Sequence, residues 1–218
     1  MSNLLNNHLN YKTMFELEMS FTRSLERQQE SSDEGVLQIV GITIVGNEVN
    51  VNPVSIDLKQ QEPINILDSW PNHHGTNRNP VRIGTISADN PYFAYVIRAI
   101  ECDNSNKREE DLSRFVNSIE EAAQASVTLG NLPGVNTIWV AGNEPKLNDR
   151  KWRDDDDIIG VSARVYPDYG TKLAEPNATI NPPVSGSVIP GGSEQTELLF
   201  NRDGASWRIG VNLYGKWS

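Results

Sequence analysis

The chain has 218 residues, of which 37% are hydrophobic, and carries a formal net charge of −10. That length holds one large β domain, or one domain with an ordered arm, and the low apolar fraction leaves part of the chain to loop or tail. The acidic balance excludes a non-specific nucleic-acid binder, which needs clustered Lys and Arg to neutralise phosphates. It also excludes binding to a bare anionic membrane unless Ca²⁺ bridges the two surfaces. No apolar run is long enough for a transmembrane helix. The segment Met1–His8 lacks the basic start and apolar core of a signal peptide. The expected location is therefore the cytoplasm, or outside the cell by a route without a cleaved signal. Cys102 is the single cysteine, so no internal disulfide forms, and a lone Cys after an apolar stretch reads as a small buried hydrophobe.

Residues 1–35 read as an N-terminal arm with an edge strand, and 36–218 as a single β-sandwich domain. In the arm, Phe15 to Phe21 alternates imperfectly and reads as a strand, with a helix as the alternative. Gln28 to Gly35 is polar and acidic and reads as a loop. Val36 to Val45 is β-branched and reads as a buried strand. Gly46-Asn47 predicts a turn, with Glu48 to Asn52 as the partner strand. Val54 to Leu58 and Ile64 to Leu67 read as two further short strands, and Asn72 to Pro80 as a loop. Val81 to Ser87 and Phe93 to Ile100 follow as strands. In the second of these, Phe93, Tyr95, Ile97 and Ala99 share one face.

The spacing of Leu112, Phe115, Val116, Ile119, Ala122, Ala123 and Val127 predicts an amphipathic helix over about 108–129. Glu109, Glu110 and Asp111 suit the positive end of its dipole, and Gly130 is placed to end it. Such a helix either packs on a sheet or docks onto a partner. Thr137 to Ala141 reads as a strand, Gly142 to Arg153 as a polar loop, and Ile158 to Tyr166 as a strand. The Pro/Gly-rich stretch of about 174–192 reads as a long crossing loop. Glu197 to Phe200 and Trp207 to Trp217 close the chain, the latter alternating Trp207, Ile209, Val211 and Leu213 with more polar residues. The fold class is mainly β, an antiparallel sandwich with one inserted helix.

The run Asp154-Asp155-Asp156-Asp157 is the strongest chemical signal. Four adjacent carboxylates repel one another, and a hard cation that takes about six to eight oxygen ligands relieves that repulsion. Asp149, Asp155, Asp156 and Asp157 are the candidate ligands, and Asp103 is a further one if the fold brings it near. The other reading is a solvated acidic hairpin, softened by Arg150, Lys151 and Arg153. No EF-hand spacing is present. Trp152, set among these charges, is the candidate partner contact, or else caps the end of the core. Trp139 and Trp207 fall in expected strands and read as core. His73-His74 sit in a loop bounded by Pro and Asn and read as surface. There is no Gly-x-Ser-x-Gly elbow and no phosphate-cradling glycine loop.

The stretch Asp149 to Gly160, ending in Asp-Asp-Ile-Ile-Gly before a strand, resembles the third ligand loop of C2 domains, which are Ca²⁺-binding β-sandwich modules. Asn52-Pro53-Val54-Ser55-Ile56-Asp57-Leu58 is a fainter echo of the same family. Lys151 stands where the family has an acid, and the inserted helix is a further departure. The resemblance implies a C2-like sandwich, and Ca²⁺ as the ion. Three functions follow as expectations. The first is a non-enzymatic binding or assembly module, Ca²⁺-dependent through the acidic loop, with a protein partner or self-assembly. The second is a metal-free structural subunit of a toxin, secretion or phage-like assembly. The third is a carboxylate-based hydrolase, which needs two acids facing each other across a cleft.

Overall fold

A computed structural model describes residues 14–27, 35–58, 80–101, 108–144, 157–175, 188–202 and 205–218. Its elements in chain order are β1 (Met14–Arg27), β2 (Gly35–Val45), β3 (Glu48–Leu58), β4 (Val81–Ser87), β5 (Phe93–Glu101), α1 (Arg108–Thr128), α2 (Val135–Asn143), β6 (Asp157–Tyr166), α3 (Tyr169–Ala174), β7 (Val188–Arg202) and β8 (Ala205–Trp217). The strands form two four-stranded antiparallel sheets, ordered β4-β1-β8-β7 and β3-β2-β5-β6. The mainly-β, two-sheet expectation holds. The single inserted helix does not: three helices lie among the described residues.

Side-chain alternation explains the packing of the first sheet. Phe15, Leu17, Met19 and Phe21 of β1 and Trp207, Ile209, Val211 and Leu213 of β8 point to one side. There they meet Leu37, Ile39, Phe93, Tyr95, Ile97 and Ala99 of the second sheet in the main core. The second sheet is buried on both faces, so β2 and β5 are buried along almost their whole length. Its far side, from Val40, Ile42, Ala94 and Val96, packs under Phe115, Ile119 and Ala123 of α1 and Ile138 and Ala141 of α2. The layers thus run sheet, sheet, helices. Such two-sided burial is why β2 reads as an unbroken apolar run rather than an alternating one.

Glycine sets the closest approach between the sheets. A Cβ on Gly41 of β2 would overlap the backbone oxygen of Ile83 in β4. Gly46, at φ 63°, makes the β2–β3 turn that its sequence predicts.

Several expectations are corrected. β1 is an interior strand between β4 and β8, not an edge strand of an arm. Its neighbours supply both hydrogen-bonding edges, which an isolated sequence does not reveal. Glu48 to Leu58 is one strand that runs through Pro53. β3 is an edge strand and Pro53 is exposed, so the missing N–H is tolerated there. Val188 to Gly192 joins β7 instead of a crossing loop, and α3 was not foreseen. The largest miss is Thr137 to Ala141, which is helical as part of α2. The candidate strand at 64–67, the loop at 72–79, and Trp70, His73, His74, Cys102 and Asp103 lie outside the described residues.

Candidate functional site

The helical layer is held to the sheet at several points. Arg98 of β5 is fully buried, beside its register partner Gln38. Its Nε and Nη2 donate to Gln38 Oε1 at 3.0 and 2.5 Å, and Nη2 also donates to the Asp111 carbonyl at 3.0 Å. The guanidinium lies 4.2 Å from the centre of the Phe115 ring. A buried charge is costly without such partners, and here they tie the first turn of α1 to the sheet. The buried Asp111 in turn accepts from Arg114. At the other end of α1, Gln124 bonds the β2–β3 turn by accepting from Val49 N and donating to Asn47 O, each at 3.1 Å.

α2 is fixed in the same manner. Ser118 Oγ donates to Ala141 O at 2.9 Å, and the Tyr92 hydroxyl donates to Pro133 O at 2.8 Å just ahead of the helix. The indole N–H of Trp139 donates to Val161 O on the edge strand β6 at 3.1 Å. Gly142 lets the helix sit close, since a Cβ there would meet Val96 and Val161 at 2.9 and 3.1 Å. Ile138, Ala141 and Gly142 face the sheet.

The opposite face of α2 is also apolar. Trp139 is 46% exposed, and Val135, Val140 and the preceding Leu132 are 45% to 54% exposed. Leu129, just past the end of α1, reaches 78%. Five of the nine exposed large apolar side chains among the described residues thus fall within residues 129–140. Val135 and Trp139 are i, i+4 neighbours on one helix face. Their exposure is a property of a pinned element, because the backbone and the indole N–H beneath them are already engaged.

The predicted ion site sits elsewhere. Asp149, Asp155, Asp156 and Trp152 lie outside the described residues. Asp157 opens β6 as the register partner of Glu101, the last residue of β5. Gly35 of β2 pairs with both Leu58 and Glu101, so the start of β2 and the ends of β3 and β5 lie together with the start of β6. Among the described residues, no group of three or more His, Cys, Asp or Glu side chains is positioned to hold a metal.

Beside β6 and β7, a tyrosine cluster closes the sandwich. Tyr166 lies 5.2 Å from Tyr169 and 6.0 Å from Phe93, centre to centre. The Tyr169 hydroxyl donates to Gly192 O at 3.1 Å, and Lys172 pairs with Glu194 at 2.7 Å. Burial pushes the phenols of Tyr95, Tyr166 and Tyr169 above their ordinary range. They stay neutral at ordinary pH and act here as packing and hydrogen-bonding groups.

Trp139 is the candidate functional residue that sequence reasoning missed. The short apolar run Ile138-Trp139-Val140-Ala141 fits a strand or a helix equally well by periodicity. The sequence signals for a helix were Pro133-Gly134 ahead of it and the apolar pair Val135 and Trp139 four residues apart. No protein-family model, no curated protein and no solved structure matches this chain.

Proposed function

We propose that this chain is a non-enzymatic protein-binding or assembly module and that it docks its partner on the outer face of α2. The observation that carries this reading is the run of exposed apolar side chains Val135, Trp139 and Val140 on α2, pinned from beneath, with Leu129 and Leu132 just ahead of it. Patches of this kind, about 300–600 Å² on a monomer, mark interaction sites. An exposed Trp on a rigid helix is the usual type of interface anchor. The two four-stranded antiparallel sheets also agree in outline with a C2-like sandwich.

A photo-crosslinking residue at Val135 should trap a partner in cells, whereas one at Gln195, on the opposite outer face of the sandwich, should not. Adducts at neither position would sink the reading.

A second reading keeps the cation. The register pairing of Glu101 with Asp157 favours it, because it sets two acidic residues side by side on adjacent strands. Millimolar Ca²⁺ should then raise the melting temperature relative to EGTA, through about 2.7 kcal/mol of linkage at one hundred times the Kd. Asp157→Asn should remove the rise. An unchanged melting temperature would leave the acidic run as a solubility feature.

A further inference from the structure

The geometry points to a specific occupant of the α2 face: a short, basic, amphipathic helix supplied by another protein. This rests on the reading of α2 as a docking face and adds what docks there. Charge is the first argument. From Phe115 to Glu144 the chain has no Lys, Arg or His, and its only charged side chains are Glu120, Glu121 and Glu144, all exposed. The exposed apolar residues thus belong to a stretch, from mid-α1 through α2, whose only charges are negative, the basic Arg108 and Arg114 lying in the first two turns of α1. A partner with Lys or Arg along its polar face would gain at these acids and would be steered toward them.

Area is the second argument. Five large apolar side chains, four about half exposed and Leu129 more so, amount to about 500 Å². A stable dimer buries roughly 800 Å² on each partner. A second copy of this chain would also bring a second set of the same three acids and a further net charge of −10. Like-charge contact of that kind opposes self-pairing. The strip is closer to the footprint of one short helix with anchors at i, i+3 or i+4, and i+7.

The test uses the full chain and a defined probe. A fluorescein-labelled amphipathic peptide of about fourteen residues, built from Leu and Lys at helical spacing, is titrated by anisotropy against its Leu/Glu counterpart. The Leu/Lys peptide should bind at least about tenfold more tightly than the Leu/Glu peptide. Leu132→Asp should weaken it by about tenfold or more. Because this substitution makes the surface more acidic, mere charge attraction would strengthen instead. Val135→Asp is the second variant, since an acid in the first turn of α2 suits the helix dipole and keeps the fold. Leu199→Asp, on the outer face of the other sheet, should leave binding unchanged.

The proposal is overturned if both peptides bind equally, or if Leu132→Asp and Val135→Asp leave binding intact. It is overturned equally by sedimentation as a dimer that Leu132→Asp dissolves, or by retention on phosphatidylcholine vesicles that the same variant abolishes. Adducts at Val135 that persist when the Leu/Lys peptide fails would spare the docking face and discard only the basic helix.

Discussion

The sandwich has two outer faces, and they solve the same problem in opposite ways. On the β4-β1-β8-β7 sheet most outward residues are polar, Leu199 being an exposed exception, and several of them pair with one another. Glu16 bonds Arg82, Glu18 bonds Lys216, and Glu197 bonds Arg208. Ser20, Asn212 and Tyr214 join by hydroxyl and amide groups in the middle. No described element covers that face. On the β3-β2-β5-β6 sheet the outward residues are apolar and two helices cover them. The covering layer ends in an apolar surface of its own along 129–140. A face that means to stay wet alternates and neutralises its charge locally, whereas the helical layer leaves a strip of hydrophobic surface that only a further contact would bury.

The largest effect should come from releasing the helical layer. Arg98→Ala leaves the buried Gln38 Oε1 and the Asp111 carbonyl without their donor and opens a cavity beside Phe115, at a cost of about 3–5 kcal/mol. At about 2–4 °C per kcal/mol for a chain of this size, the melting temperature should fall by about 6–20 °C. A fall of only a degree or two by calorimetry would mean that the layer is held by other contacts.

Next is the close approach of the sheets. Gly41→Ala forces Ile83 and β4 away from β2 and should cost about 1–3 kcal/mol in urea unfolding. A neutral outcome would mean that the two strands are further apart than described.

The tyrosines set a pH limit. Tyr92, Tyr95, Tyr166 and Tyr169 all have pKa values raised above the ordinary 10.0 by burial. The folded chain therefore holds these protons more tightly than the unfolded chain. The stabilisation is fully present below about pH 10 and is lost as pH rises beyond it. Ultraviolet titration should show these phenols ionising only with cooperative unfolding. Smooth ionisation of all six tyrosines near pH 10 in the folded chain would contradict their burial.

The smallest effects belong to the wet face. Arg82→Ala and Arg208→Ala break ion pairs that are open to solvent and should each change stability by less than about 0.5 kcal/mol. Costs as large as that of Arg98→Ala would erase the contrast between the two faces.

The core of this fold was legible where local pattern and tertiary environment agree. The alternation of β8, the shared face of β5 and the α1 stripe each place side chains correctly, because periods of 2 and 3.6 state which side is buried. The interior position of β1 was hidden, since its partners β4 and β8 are distant in sequence and strand pairing leaves no local trace. Thr137 to Ala141 misled for a different reason. Four apolar residues in a row suit a buried strand, but Gly142 allows the same residues to sit as a helix close on Val96 and Val161. The acidic run located where β6 begins, and gave a chemical reason to test for a cation. The α2 face was invisible because its signal is exposure, which a sequence does not carry.

The most direct measurement is hydroxyl-radical footprinting of the intact chain, read residue by residue. Trp139, Leu129 and Leu132 should oxidise quickly while Trp207 and Phe115 stay protected, and adding the Leu/Lys peptide should slow the first group alone. Trp139 as protected as Trp207 in the free chain would mean that the α2 face is already covered, and the proposed docking surface would be withdrawn.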